Sequence, residues 1–406
     1  MSKWKKLSAF LLSLVCLLSG ILLPARALEA TGKEPISTEG QYVPAPSLSA
    51  QSALLMEAES GSVIYEKEGS ERLPMASTTK IMTALVALEI ADPAQRITVT
   101  AEAVGVEGSS IYLTEGETLT LEELLYALLL ESANDAAVAI AVGLSGSIEA
   151  FAEQMNRTAK ELELSNSHFT NPHGLDHEEH YTTARDLAVI TRRALEHPLF
   201  CTIISTRKTT IPHDNTDGVR LLINHNKLLR MYDGCIGVKT GYTKRSGRCL
   251  VSAAEREGVT LIAVTLNAPN DWKDHSALLD YGFSRYRSVL LCEGEEILFP
   301  LPVTGGCEDY VMVGNSDALR AILPAGHGSI VIRIEAPRFL YAAVESGEEI
   351  GRVVFHCDTL GNGQLQTVGE VPLYTRYAVE AKQSKKGFWS WLLGLFGKAS
   401  GQTREP

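Results

Sequence analysis

Ser77-Thr78-Thr79-Lys80-Ile81-Met82-Thr83-Ala84-Leu85-Val86-Ala87-Leu88-Glu89-Ile90 is the stretch from which the rest of the chain can be read. Ile81, Leu85, Val86 and Leu88 recur at helical spacing, so the segment predicts a helix over residues 78–90 with one apolar side. A serine opens it and a lysine follows three places on. Side chains three apart share a helix face, so Lys80 is placed to reach the Ser77 hydroxyl. The plain alternative is Ser77 as an N-cap with Lys80 on a solvated face. The same S-x-x-K spacing also occurs at Ser2–Lys5 and Ser205–Lys208, so the pair alone decides nothing.

Two further short motifs follow downstream. Ser132-Ala133-Asn134 lies between two helical patterns, and Lys239-Thr240-Gly241 lies on a strand pattern. Together, in this order, the three suit acyl transfer. A serine hydroxyl is a poor nucleophile until a base takes its proton. Lys80 is that base if it is neutral, a state that burial and a neighbouring cation such as Lys239 favour. N–H groups at a helix N-terminus stabilise negative charge near Ser77. Ser132 is suited to relaying a proton to a leaving amine, and Asn134 to holding Lys80 and donating to a substrate amide. Lys239 suits a carboxylate, and the strand after it can pair with an extended peptide. No metal or organic cofactor is called for. The cysteines are widely spaced without a CxxC, so neither a zinc site nor a thioredoxin-type motif is indicated.

Around these motifs the periodicity changes along the chain. Residues 53–57 and 62–66 read as a hairpin split by Glu59-Ser60-Gly61. Helices are expected at 121–130, 135–142, 148–162 and 183–196. Strands are expected at 237–243, 248–255 and 260–266, followed by a helix at 275–283. Strands, then helices, then strands and a helix describe an α+β domain with one antiparallel sheet. From about 286 to 381, short strands alternate with Gly- and Pro-containing turns, which reads as a small all-β domain.

The chain has 406 residues, 45% hydrophobic and 21% charged, with a net charge of −12. That mixture supports a large buried core and excludes wholesale disorder and fibrous repeats. The acidity makes non-specific nucleic-acid binding a poor reading, because that needs a basic face. Lys3, Lys5 and Lys6 precede an apolar run from Leu7 to Leu23, and Ala25-Arg26-Ala27 supplies a cleavage signal. Residues 1–27 are therefore expected to be an export signal; an uncleaved anchor is the alternative. Removing them takes away four positive charges and brings the net to about −16. At the other end, Phe388, Trp391, Leu392, Leu395 and Phe396 recur at helical spacing between flanking lysines. Ten helical residues span only about 15 Å, so the segment suits a helix lying in the membrane interface.

At this point the sequence resembles a known family. The three motifs are those of penicillin-binding proteins and serine β-lactamases. Arg72 to Thr83, Asn171-Pro172-His173-Gly174-Leu175, Thr182 to Asp186, Asn224-His225-Asn226-Lys227-Leu228-Leu229 and Gly237 to Thr243 look like segments of the low-molecular-mass D-alanyl-D-alanine carboxypeptidases, peptidase S11. The resemblance implies a penicillin-binding-protein/β-lactamase-like transpeptidase domain of α+β class, a small all-β domain and a C-terminal amphipathic helix. The expected boundaries are signal 1–27, linker 28–50, catalytic domain 51–285, β-rich domain 286–381 and anchor tail 382–406.

The resemblance also implies roles. Ser77 is the acylated nucleophile and Lys80 its base, with Ser132 and Asn134 lining the cleft. Lys239 and Thr240 receive the substrate carboxylate beside Gly241. The oxyanion hole is formed by the N–H groups of Ser77 and Tyr242. The family often carries an arginine near Asn270–Asp274 for the carboxylate; here Trp272-Lys273 stands there and the role is unassigned. His173 and His225 are read as structural. The implied partners are a peptidoglycan stem peptide ending in D-Ala-D-Ala, β-lactam inhibitors, and the membrane surface through the tail, at the outer face of the cytoplasmic membrane. The alternatives are a serine β-lactamase, for which Glu161 and Glu163 lie in the relevant interval, and a non-catalytic wall-binding scaffold.

Overall fold

The computed structural model describes residues 44–213, 218–359 and 361–382. The expected signal and the amphipathic tail beyond residue 382 lie outside the described residues. The chain divides into two compact units. One runs to Val289 and includes Ala321–Gly326; the other comprises Leu290–Arg320 and the described residues from His327 onward.

The first unit is built on a five-stranded antiparallel sheet, with strand order β2-β1-β9-β8-β7. Its strands are β1 (Ser52–Glu57), β2 (Val63–Lys67), β7 (Cys235–Thr243), β8 (Gly247–Arg256) and β9 (Val259–Leu266). Side chains alternate across a pleat. Leu54 and Met56 accordingly face a large helical core, and Ala53 and Leu55 face a smaller core on the other side. Burial on both faces explains why β1 is apolar almost throughout.

Helices α1 (Lys80–Ile90), α2 (Leu121–Leu130), α3 (Asn134–Ser145), α4 (Ile148–Glu161), α5 (Ala184–Ala194), α6 (Pro198–Ser205) and the short α7 (Leu228–Met231) come from the segments between β2 and β7. Thr120 caps α2 with Glu123 in a reciprocal capping box, which fixes where α2 begins. The terminal helix α8 (Asp271–Arg285) covers the second face of the sheet. Buried His275 holds it there, between Ser252 Oγ at 2.5 Å and Thr265 Oγ1 at 2.9 Å.

The linker expected over 28–50 does not run to residue 50: Leu48 and Ala50 are buried in the smaller core. Ser49 Oγ donates to Asp274 on α8 at 2.7 Å. The hairpin β5 (Lys208–Pro212) and β6 (Val219–Ile223) was not foreseen. Its inward face carries Arg220 and Leu222, whereas Val219, Leu221 and Ile223 are exposed, so burial along the strand does not follow hydropathy. The short pair β3 (Arg96–Thr98) and β4 (Thr118–Thr120) completes this part.

Strands β10 (Tyr286–Cys292) and β13 (Leu319–Pro324) form a two-stranded ribbon. A six-stranded sheet runs in the order β14 (Ile330–Glu335), β16 (Glu349–Cys357), β17 (Gln366–Thr375), β12 (Tyr310–Gly314), β11 (Leu298–Thr304), β15 (Leu340–Tyr341). Val311, Val313, Val353, Phe355, Val371 and Leu373 form its core. The described cysteines are free thiols.

Candidate active site

Ser77 sits in a tight 3₁₀ turn, Ala76–Thr79, that leads into α1. The turn is held from inside: Thr78 Oγ1 donates to Met75 O at 2.6 Å, and Thr79 Oγ1 to Ala76 O at 2.8 Å. At three residues per turn, side chains at i and i+3 eclipse. Lys80 is thereby brought directly under Ser77. Its Nζ donates to Ser77 Oγ at 3.1 Å, to Asn134 Oδ1 at 2.7 Å and to the backbone carbonyl of His173 at 2.7 Å. All three donors of the ammonium have acceptors, although the side chain is fully buried.

Burial pushes Lys80 well below the usual lysine range, and the positive charge of Lys239 pushes it further; Asp135 pulls the other way. Lys239 is itself buried on β7, where its Nζ donates to Thr240 O at 3.0 Å. Desolvation brings its pKa down to about 7, against the pull of Glu131.

Asn134 opens α3 and is fixed from behind. Its Nδ2 donates to Glu107 O at 2.5 Å, and its own N–H to Ser109 O at 2.7 Å. Ser132 is buried in a left-handed conformation, φ 60°, at the turn between α2 and α3. Opposite this wall runs β7. Gly241 faces Ser77: a Cβ there would lie 3.0 Å from the Ser77 amide nitrogen and 3.1 Å from Met75 O. Any Cβ there would crowd this backbone, so glycine lets the strand approach without displacing it. Tyr242, next along, is exposed. Thr240 and Tyr242 share β7 with Lys239. The structure thus brings Ser77, Lys80, Asn134, Lys239 and Gly241 together, with Ser132 two residues before Asn134 and with Thr240 and Tyr242 on either side of Gly241 in β7.

A family model described as D-alanyl-D-alanine carboxypeptidase, Peptidase S11, matches residues 39–270. The chain belongs to that family. Among S11 carboxypeptidases it is similar to DacF of Bacillus subtilis, at 32% identity over 392 residues covering 94% of this chain and 97% of the relative. It is also 31% identical to DacC of Escherichia coli over 377 residues, 88% of this chain and 90% of the relative. Penicillin-binding protein 5 from Haemophilus influenzae superposes with a TM-score of 0.62 at 27% identity, over 84% of this chain and 100% of that one.

Several groups around Ser77 and Lys80 lie outside the three short motifs. His173 contributes its carbonyl to Lys80, while its ring is buried, accepts from Leu175 N at 3.2 Å and is held down to about pKa 3. Gly174 has φ 88°, and a Cβ there would lie 2.0 Å from Ala76 O, so glycine is required where this loop meets the turn that carries Ser77. Buried His180 bonds Thr79 Oγ1 at 2.8 Å, and Thr83 Oγ1 donates to Pro172 O at 2.6 Å. Glu131, just before Ser132, accepts from Ile223 N at 2.5 Å and lies 3.2 Å from His225 Nε2. The segment without the expected arginine opens α8. Trp272 lies 5.8 Å under the guanidinium of Arg248, which pairs with Asp271 at 2.9 Å and stands across from Tyr242. Among the described residues, no group of three or more His, Cys, Asp or Glu side chains is placed to hold a metal ion.

Proposed function

We propose that this S11 carboxypeptidase removes the terminal D-alanine from peptidoglycan stem peptides through an acyl-enzyme on Ser77. The observation that carries the reading is Lys80: buried, 3.1 Å from Ser77 Oγ, and pushed toward its neutral form. As Ser77 Oγ attacks the carbonyl carbon of the penultimate D-alanine, its proton passes to Lys80. The oxyanion is met by the backbone N–H groups of Ser77 and Tyr242; glycine at 241 keeps the first of these open. The C–N bond then breaks, the proton held by Lys80 passes by way of Ser132 to the leaving amine, and D-alanine departs, leaving Lys80 neutral. Water attacks the ester as Lys80 takes its proton; the C–O bond to Ser77 breaks and that proton returns to Ser77 Oγ. Lys239 and Thr240 receive the terminal carboxylate; Asn134 orients Lys80 and the acyl amide. A β-lactam follows the same first step and inhibits by remaining on Ser77.

The β-lactamase alternative needs a base for fast deacylation. Glu161 and Glu163 are exposed at the C-terminal end of α4, and the segment that reaches Lys80, 171–174, carries no carboxylate. The separate β-rich region is taken as a domain of its own and the tail 382–406 as an interfacial membrane anchor. The basic, apolar start of the chain supports export to the outer face of the cytoplasmic membrane. A scaffold without activity is disfavoured by the complete hydrogen bonding around Lys80.

The test follows free D-alanine released from diacetyl-Lys-D-Ala-D-Ala. Release by the wild type that disappears in Ser77→Ala is expected. Release that survives the substitution would contradict it. Rapid turnover of a chromogenic cephalosporin would move the reading to a β-lactamase.

A further inference from the structure

Among the described residues Tyr112 is the most exposed of the large hydrophobic side chains, at 83%, yet its backbone is among the most constrained. Its φ is 58°, a left-handed conformation that is costly for a bulky residue. Eight non-glycine residues show positive φ among the described residues. Glu68, Glu163, Glu257, Asn267 and Glu295 lie in bends or turns. Of the other three, Ala76 precedes the nucleophile, Ser132 belongs to the cleft, and the third is Tyr112. Strain of this kind collects where a site fixes a side chain.

What imposes it is visible on both sides. The buried carboxylate of Asp135 accepts from Ser110 Oγ at 2.6 Å, Ile111 N at 3.1 Å and Leu113 N at 3.0 Å. Ser110 Oγ in turn accepts from Tyr112 N at 2.9 Å. Arg220 reaches across from β6, giving Nε to Ile111 O at 3.0 Å and Nη2 to Tyr112 O at 3.4 Å. Its guanidinium is itself anchored on the buried carboxylate of Glu117, at 2.9 Å from Nη2 to Oε2. Two buried ion-bearing groups thus clamp a three-residue loop whose central ring is left in water. The loop is a direct extension of the cleft wall, because Glu107 O and Ser109 O hold Asn134, the residue beside Asp135.

We propose that Tyr112 is a specificity-determining residue whose ring packs against the side chain of the stem-peptide residue preceding the two D-alanines. The inference rests on the proposed reading of the site. There Lys239 and Thr240 take the carboxylate end, so the peptide upstream of the scissile bond lies toward Asn134 and this rim. A long diamino side chain offers the ring both methylenes and an amine, the chemistry an aromatic face recognises.

The test compares kcat/KM for diacetyl-Lys-D-Ala-D-Ala and acetyl-Gly-D-Ala-D-Ala in the full chain, in Tyr112→Phe and in Tyr112→Gly, alongside thermal melting. The wild type prefers the lysine peptide. Tyr112→Gly narrows that preference roughly five- to tenfold, while Tyr112→Phe keeps it. The melting temperature of Tyr112→Gly does not fall, since glycine adopts the left-handed conformation freely. A merely structural tyrosine predicts the reverse, a lower melting temperature with the preference intact, and that result overturns the proposal. Equal loss on both peptides also overturns it. Absence of D-alanine release from the wild type would sink the reading of Ser77 and this inference with it; release with an unchanged preference in Tyr112→Gly sinks this inference alone.

Discussion

At the scale of single residues, the site works by opposing influences on two buried amines. Three acceptors around Lys80 favour its charged form, while burial and Lys239 disfavour it. Replacing Lys80 with alanine should slow acylation of Ser77 by penicillin about 100- to 10,000-fold, the usual worth of a positioned base; stopped-flow acylation rates check it. In the proposed mechanism Lys239 has the complementary task of receiving the carboxylate. With a pKa of about 7 in the free enzyme, it sheds its charge as pH rises through neutrality. The kcat/KM for a peptide with a terminal carboxylate should therefore fall on the alkaline side. Arginine stays charged throughout this range, so Lys239→Arg should move that limb to higher pH whatever its maximal activity. A limb that stays in place would mean that Lys239 does not receive the carboxylate.

At the scale of elements, the side-chain motifs were legible by their chemistry, whereas the backbone supports showed at most as family-like segments, such as residues 171–175, without a role. Ser77, Lys80, Asn134 and Lys239 stand out because residue type and spacing carry their chemistry. The carbonyls of His173, Glu107 and Ser109 do equivalent work, but every residue has a carbonyl, so only the folded chain identifies them. Gly174 illustrates the consequence. A methyl group there would meet Ala76 O at 2.0 Å and push the nucleophile turn out of place. Gly174→Ala should therefore reduce acylation about 100-fold while removing no chemical group; mass-spectrometric time courses of penicillin labelling would measure it. The long apolar helices and β8–β9 were also legible, since packing on both sides leaves a nearly continuous hydrophobic signal. The hairpin β5–β6 was not, because its buried face holds Arg220, which is committed to Glu117 and to the Tyr112 loop.

At the scale of the whole molecule, the histidines tie stability to pH. His173, His180 and His275 are buried, and desolvation brings each down to about pKa 3 from an ordinary value of 6.5. Between those values the unfolded chain binds protons that the folded chain refuses, so stability rises with pH in this window. The contribution is complete above about pH 6.5 and is lost progressively toward pH 3. The melting temperature should fall on acidification below pH 6.5. His275→Gln should flatten that slope even if it lowers the melting temperature at pH 7, because it removes a titrating group from between Ser252 and Thr265. A profile flat from pH 6.5 to 4 would contradict the burial argument.

The central claim is that Ser77 is acylated with Lys80 as its base, and peptide mapping after exposure to benzylpenicillin tests it most directly. One penicilloyl group on the peptide containing Ser77, absent from Ser77→Ala and greatly slowed in Lys80→Ala, is the predicted result. A group on another residue, or labelling that persists in Ser77→Ala, would contradict it.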